Sequence, residues 1–243
     1  MSEARGNYGG KVVGVIGGMG PEATLEFLRR LLAGTTARDD SDHLHMVTDS
    51  NPKIPSRIAA LIDGTGEDPT PVLCEMAQRL EAHGADFLVM PCNTAHHYLP
   101  AIARSVSIPL LNLVALSIEE LGKSDGAPAR VGVLASPAVR LVGLFEARLA
   151  AAGYVTVWPE PEDEAALLGI IRAVKAGGVE PEHRRLYADI ASRMTAAGAE
   201  AFLIACTELS VLGPPAGAEE LKVIDTLDAL VDATIREARN APR

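Results

Sequence analysis

Basic side chains are in short supply: 22 Lys and Arg stand against 32 Asp and Glu in 243 residues, a net charge of −10. That balance argues against nucleic acid and anionic membranes as partners, because both bind through surplus cations. It leaves open an anionic small molecule, which needs only a few local cations or helix N-termini. Cysteine is scarce too. Cys74, Cys92 and Cys206 are an odd number without a disulfide framework, which points to a reducing compartment. No apolar run reaches the roughly 18 residues of a membrane helix. Residues 1–10 are polar and glycine-rich and lack a signal-peptide apolar segment, so a mobile lead and a cytoplasmic protein are expected.

Hydrophobic residues at 48% and charged residues at 22% can build a substantial core, as one large domain or two small ones. Lys11–Ile16 reads as a first strand, and Gly17-Gly18-Met19-Gly20-Pro21 as a tight turn with Pro21 opening a helix. His43–Thr48 is a second strand. It is followed by a proline-punctuated loop, Asp49–Arg57, and a short helical piece, Ile58–Ile62. A helix is expected over Pro71–His83. Gly84–Met90 is then a buried strand ending at Pro91-Cys92-Asn93-Thr94-Ala95-His96, where Asn93 or Thr94 can cap a helix running to about Ser105. Ile108–Leu113 reads as a further strand, and Gly122–Ala129 as a linker.

The second half repeats the first. Arg130–Ser136 matches the opening strand, Tyr154–Trp158 the second, and Lys222–Thr226 echoes Ile108–Asn112. Gly198-Ala199-Glu200-Ala201-Phe202-Leu203-Ile204-Ala205-Cys206 lines up with the run from Gly84 to Cys92. A repeat of about 115 residues is domain-sized, so a domain has been duplicated and no solenoid is implied. Strands alternating with helices predict an α/β fold of two pseudo-symmetric, three-layer domains with mostly parallel sheets. In such sheets ligands bind at the carboxyl ends of strands. Gly17–Gly20, Asp49–Arg57, Cys92–Thr94, Ser136 and Cys206–Glu208 all fall there. Two facing domains would then place Cys92 and Cys206 on opposite walls of one interdomain cleft, the expected active site.

A thiol at a strand end beside free helix N–H groups is easier to ionise. Two facing thiols suit the inversion of a stereocentre next to a carboxylate. A thiolate takes a proton from one face and a thiol returns one to the other. A cysteine is more often a small buried hydrophobe, and Cys74, inside a helix, fits that description. Cys92 and Cys206, at matched positions of a repeat, do not. Two rival readings are weaker. Gly18-Met19-Gly20-Pro21-Glu22-Ala23 nominally fits a dinucleotide-binding turn with Asp49 ending the next strand, but Pro21 has no N–H. Cys92 and His96 have metal-pair spacing, but no second pair matches them, so no metal is expected.

The sequence resembles the aspartate/glutamate racemase superfamily that works without pyridoxal phosphate, aspartate racemases above all. The resemblance spans nearly the whole chain. Its carriers are Gly17–Thr24, Asn51–Arg57, Pro91–His96 and Ala205-Cys206-Thr207-Glu208-Leu209. It implies two α/β domains that exchange their last helices: 1–107 plus 223–243 carrying Cys92, and 108–222 carrying Cys206. It also implies a homodimer, no cofactor, a small acidic amino acid as substrate, and Cys92 and Cys206 as the acid/base pair. Arg57 and Lys175 resemble the positions used around the substrate's side-chain carboxylate, where a guanidinium fork fits. Asn93, Thr94 and Thr207 are implied as carboxylate or amine contacts, with Met19, Asn51, Ala95, Ser136 and Glu208 completing the substrate-binding set. Two positions depart from the pattern. Val139 stands where a second threonine is usual, and Ser56 where an aspartate precedes the arginine, which shifts the expected substrate preference more than the reaction. A cis–trans isomerase or decarboxylase of dicarboxylic acids, or a non-catalytic acidic-ligand binding protein, is the alternative on the same scaffold.

Overall fold

The computed structural model describes residues 10–123 and 129–240. The lead over residues 1–9 and most of the linker over 122–129 lie outside the described residues. The first half runs β1 (Val13–Gly17), α1 (Pro21–Gly34), β2 (Met46–Ser50), α2 (Thr70–Ala82), β3 (Phe87–Val89), α3 (Leu99–Ser105) and α4 (Leu113–Leu121). The second runs β4 (Arg130–Leu134), α5 (Pro137–Leu141), α6 (Glu146–Ala151), β5 (Val155–Val157), α7 (Pro161–Lys175), α8 (Pro181–Ala196), β6 (Ala201–Ile204), α9 (Thr207–Ser210), β7 (Lys222–Asp225) and α10 (Thr226–Arg239). Two all-parallel sheets result, ordered β2-β1-β3 and β5-β4-β6-β7. Strands covered on both faces read as nearly continuous apolar runs, as β1, β3 and β6 do.

Alternate residues of each strand feed different cores. Val13, Val15, Phe87 and Val89 of the first sheet meet Val131, Val133, Ala201 and Leu203 of the second in one shared core. Phe27 and Leu31 of α1, Leu113 of α4, Leu149 of α6 and Leu230 of α10 complete it. The opposite faces are sealed separately. Leu88 and Met90 pack with Leu73 and Met76 of α2. Phe202 and Ile204 pack with Ile170 of α7 and Tyr187 of α8. Burying a side chain such as Phe27 stabilises the fold by about 1.5–3 kcal/mol.

The connecting helices cross between halves. Helix α4 packs against β7, α6 and α10, and α10 packs against α1 and α4. The Lys222 ammonium donates to the carbonyls of Glu120 and Leu121 at 2.9 and 2.8 Å, holding the end of α4 beside the second sheet. Residues 108–111 do not form the expected strand. They make a single bridge, Leu88 to Leu110, on the edge of the first sheet. Pro109 has no N–H for a ladder, and only its carbonyl is used, accepting from Leu88 N at 2.7 Å. Segment 108–111 therefore lies on the edge of the first sheet and β7 on the edge of the second. The helix expected after Cys92 is also divided, into a tight turn over Thr94–Tyr98 and α3. Pro100 cannot donate to the carbonyl of His96, which a continuous helix would require.

Candidate active site

Every strand-end turn singled out in the sequence lies at a carboxyl end of one of the two sheets, where the halves face each other. A cavity of about 250 Å³ opens between them. The first half contributes Gly18, Met19, Gly20 and Pro21 after β1, Pro52, Ile54, Ser56, Arg57 and Ile58 after β2, and Cys92 and Thr94 after β3. The second contributes Ser136 after β4, Ile171 and Lys175 of α7, and Cys206 and Glu208 after β6. Both cysteines are free, buried, and on this one cavity. The volume lies below the roughly 300–1,000 Å³ of pockets for drug-sized ligands. It suits a small molecule better than a dinucleotide.

The β1–α1 turn reaches the cavity because Gly18 can bend. Its φ is +91°, and a Cβ there would meet the backbone of Asn51 at 2.4 Å. Thr24 closes the turn, its hydroxyl accepting from Gly18 N at 2.8 Å. Hydrogen bonds join the halves around the cavity. Thr94 Oγ1 lies 3.4 Å from Ser136 Oγ, and Thr207 Oγ1 donates to the Pro91 carbonyl at 3.1 Å. Asn93 Nδ2 donates to Thr226 Oγ1 at 2.9 Å. Asn93 therefore does not cap the helix that follows it, as its position had suggested: its amide is drawn across to the other half.

Around Cys206 the charges are paired. Its thiol donates to Glu208 Oε2 at 3.1 Å, and Glu208 Oε1 is ion-paired with Lys175. Burial, and then the Glu208 carboxylate, push the Cys206 thiol well above its usual range, although Lys175 opposes them. That reverses, for Cys206, the easier ionisation expected of a strand-end thiol. Its helix α9 is only one turn long and brings a carboxylate with it. Burial works to lower Lys175, but Glu208 outweighs it, and the ammonium is held above its ordinary range. Opposite, Arg57 Nη1 donates to the Pro55 carbonyl at 3.1 Å, while its buried Nε has no partner.

Not every implied contact reaches the cavity. Met19, Arg57, Thr94, Ser136, Lys175 and Glu208 line it. Asn51, Asn93, Ala95 and Thr207 stand behind it. Asn51 Oδ1 accepts from Lys53 N at 2.9 Å, bracing the loop that carries Arg57. Asn93 and Thr207 bridge the halves, and Ala95 is in the outer core of the first half. Val139 is fully buried in the shared core, so its missing hydroxyl faces packed side chains. Ser56 does line the cavity, and its Oγ accepts from Ala59 N at 3.2 Å. Sequence reading missed Ile54, Ile58 and Ile171. Ile171 had a signal, since it stands one helical turn before Lys175 and shares its face.

His96 does not pair with Cys92 for a metal. Its Nδ1 lies 2.9 Å from the Cys92 carbonyl, and its Nε2 accepts from Leu113 N at 3.2 Å, so both ring nitrogens serve the backbone. Among the described residues no group of three or more His, Cys, Asp or Glu could hold a metal ion. Asp49, the acid of the dinucleotide reading, is ion-paired with Arg79. Among the described residues no helix is long and apolar enough to cross a membrane.

Two parallel-sheet halves with a cleft at their strand ends make up the two-domain fold seen in aspartate and glutamate racemases. A Picrophilus torridus aspartate racemase structure is similar at a TM-score of 0.83 and 31% identity, with 96% of each chain covered. A glutamate racemase, isoform RacE1, from Bacillus anthracis shares the fold at a TM-score of 0.66 and 16% identity, covering 95% of this chain and 83% of that one. The chain belongs to the Asp/Glu/hydantoin racemase family, whose model matches residues 16–234. The broad specificity amino-acid racemase RacX of Bacillus subtilis is 25% identical over 236 residues, 92% of this chain and 96% of that protein.

Proposed function

We propose that this protein is a cofactor-independent amino-acid racemase that moves the Cα proton between Cys92 and Cys206, with aspartate as the first candidate substrate and glutamate the next. The observation that carries this reading is the pair of cysteines, one from each copy of a duplicated strand end, on a single small cavity. One thiolate takes the Cα proton and the opposite S–H delivers another to the far face. The pair ends with its protonation exchanged, ready for the mirror-image substrate. Cys206 Sγ donates to Glu208 Oε2, which holds a proton on Cys206 and suits it to the delivering role. Arg57, with an unpaired buried N–H, and Lys175 are the cations for substrate carboxylates.

The test is solvent deuterium incorporation at Cα of L- and D-aspartate, with Cys92→Ala and Cys206→Ala compared with the wild type. Loss of racemisation in each variant is expected; turnover surviving in both would reject the reading. Incubation with maleate and with an arylmalonate separates the cis–trans isomerase and the decarboxylase. Ile54, Ile58 and Ile171 give the cavity an apolar wall, which supports a substrate range beyond aspartate. A panel of neutral amino acids measures that breadth. We propose a homodimer as well. Leu25 and Leu32, 61% and 58% exposed and two turns apart on α1, are apolar groups that pairing would cover. Sedimentation of the Leu25→Glu/Leu32→Glu variant as a monomer is the expected result.

A further inference from the structure

Away from the cavity, one charged side chain of the first half enters the second. Arg30 of α1 donates from Nε to Glu26 Oε1 at 2.7 Å. From Nη1 it donates to Asp225 Oδ2 at 2.6 Å and Asp228 Oδ1 at 2.7 Å, and from Nη2 to the Ser210 carbonyl at 2.6 Å. Asp225 is buried. Its Oδ1 also accepts from Ser210 Oγ at 2.6 Å and from Leu227 N at 2.9 Å. Ser210 is the last residue of α9 and is fully buried, and its N–H donates to the Cys206 carbonyl at 3.1 Å. The chain of contacts is therefore Arg30, Asp225, Ser210, Cys206.

Helix α9 is a single turn, too short to hold its own shape. Cys206 sits at its start and Glu208 inside it. A buried ion pair is a costly way to fill space, since an apolar replacement is often as stable or more so. What the guanidinium fork supplies here is position: it fixes a carboxylate and a carbonyl at once. Helix α1 begins at the Gly18–Pro21 turn that lines the cavity. The element carrying one wall of the site thus holds the turn carrying the thiol on the other.

We infer that Arg30, acting through Asp225 and Ser210, is a positioning residue that sets the Cys206 turn against the first half of the protein. The inference rests on the racemase reading for its kinetic consequence, but not for its structural one. Arg30→Lys keeps the charge and loses the fork. It is expected to fold, to lower kcat for aspartate racemisation at least five-fold with KM changed less than two-fold, and to change the iodoacetamide alkylation rate of Cys206, mapped by mass spectrometry, without changing that of Cys92. Ser210→Ala removes the hydroxyl link alone and is expected to show the same selectivity more weakly, which keeps the test open should Arg30→Lys not fold. Alkylation rates of both cysteines unchanged, or changed together, would overturn the positioning role. A wild-type protein that exchanges no Cα proton would instead overturn the racemase reading, and Cys206 alkylation would still report on Arg30.

Discussion

Lys175, on the cavity, and His96, buried behind Cys92, do opposite electrostatic jobs. Lys175 is a charge kept charged. Replacing it with Met removes a candidate carboxylate contact and leaves Glu208 beside Cys206 without its cation. The expected outcome is a roughly 10²-fold fall in kcat/KM for aspartate, from about 2–3 kcal/mol of lost charged contact, followed by chiral chromatography of the product. His96 is a charge kept neutral. Burial lowers its pKa to about 4, with the Cys92 and Leu111 carbonyls offsetting part of that effect. The unfolded chain binds a proton near pH 6.5, while the folded protein waits until about pH 4. Stability is therefore lost as pH falls through that window, by up to about 3 kcal/mol at ~1.4 kcal/mol per pH unit. Urea midpoints of wild type and His96→Gln should show the slope between pH 7 and pH 4.5 shallower in the variant. An unchanged slope would contradict the assignment.

Turns and short helices are where sequence reading did best and worst. The turn after β1 was legible because Gly17-Gly18-Met19-Gly20-Pro21 follows an apolar run, and the structure supplies the reason: Gly18 lies against the Asn51 backbone. Gly18→Ala is expected to cost at least about 2 kcal/mol through its left-handed φ and that contact, lowering Tm by several degrees in a thermal melt. The cysteine turns were legible because a duplicated chain shows each of them twice. The bend at Pro100 and the missing strand at Pro109 are written in the prolines, whose absent N–H groups outweigh the apolar spacing around them. The Asn93 bond to Thr226 and the Arg30 contacts were not legible. They join residues far apart in sequence, and no local pattern marks such pairs. Val139 shows the converse: a departure from a family pattern looked like a change in the site and proved to be a core side chain.

For the molecule as a whole, the shared core decides how it unfolds. Side chains from both sheets and from α1, α4, α6 and α10 meet in a single cluster, so neither half has a complete interior of its own. One cooperative transition is expected. The single tryptophan, Trp158, belongs to the second half and packs against that cluster, whereas far-UV circular dichroism reads every helix. Coincident urea midpoints by the two probes are the expected result, and separated midpoints would show independent halves. The pseudo-symmetry that made the halves visible in sequence is not expected to make them separable, because the connecting helices α4 and α10 pack across.

That crossing of α4 and α10 bears on what would happen if the polypeptide were severed between residues 123 and 129. Each fragment would keep a helix that completes its neighbour and would lack the one its neighbour provides. Neither piece should be soluble alone, yet the two mixed together should reassemble.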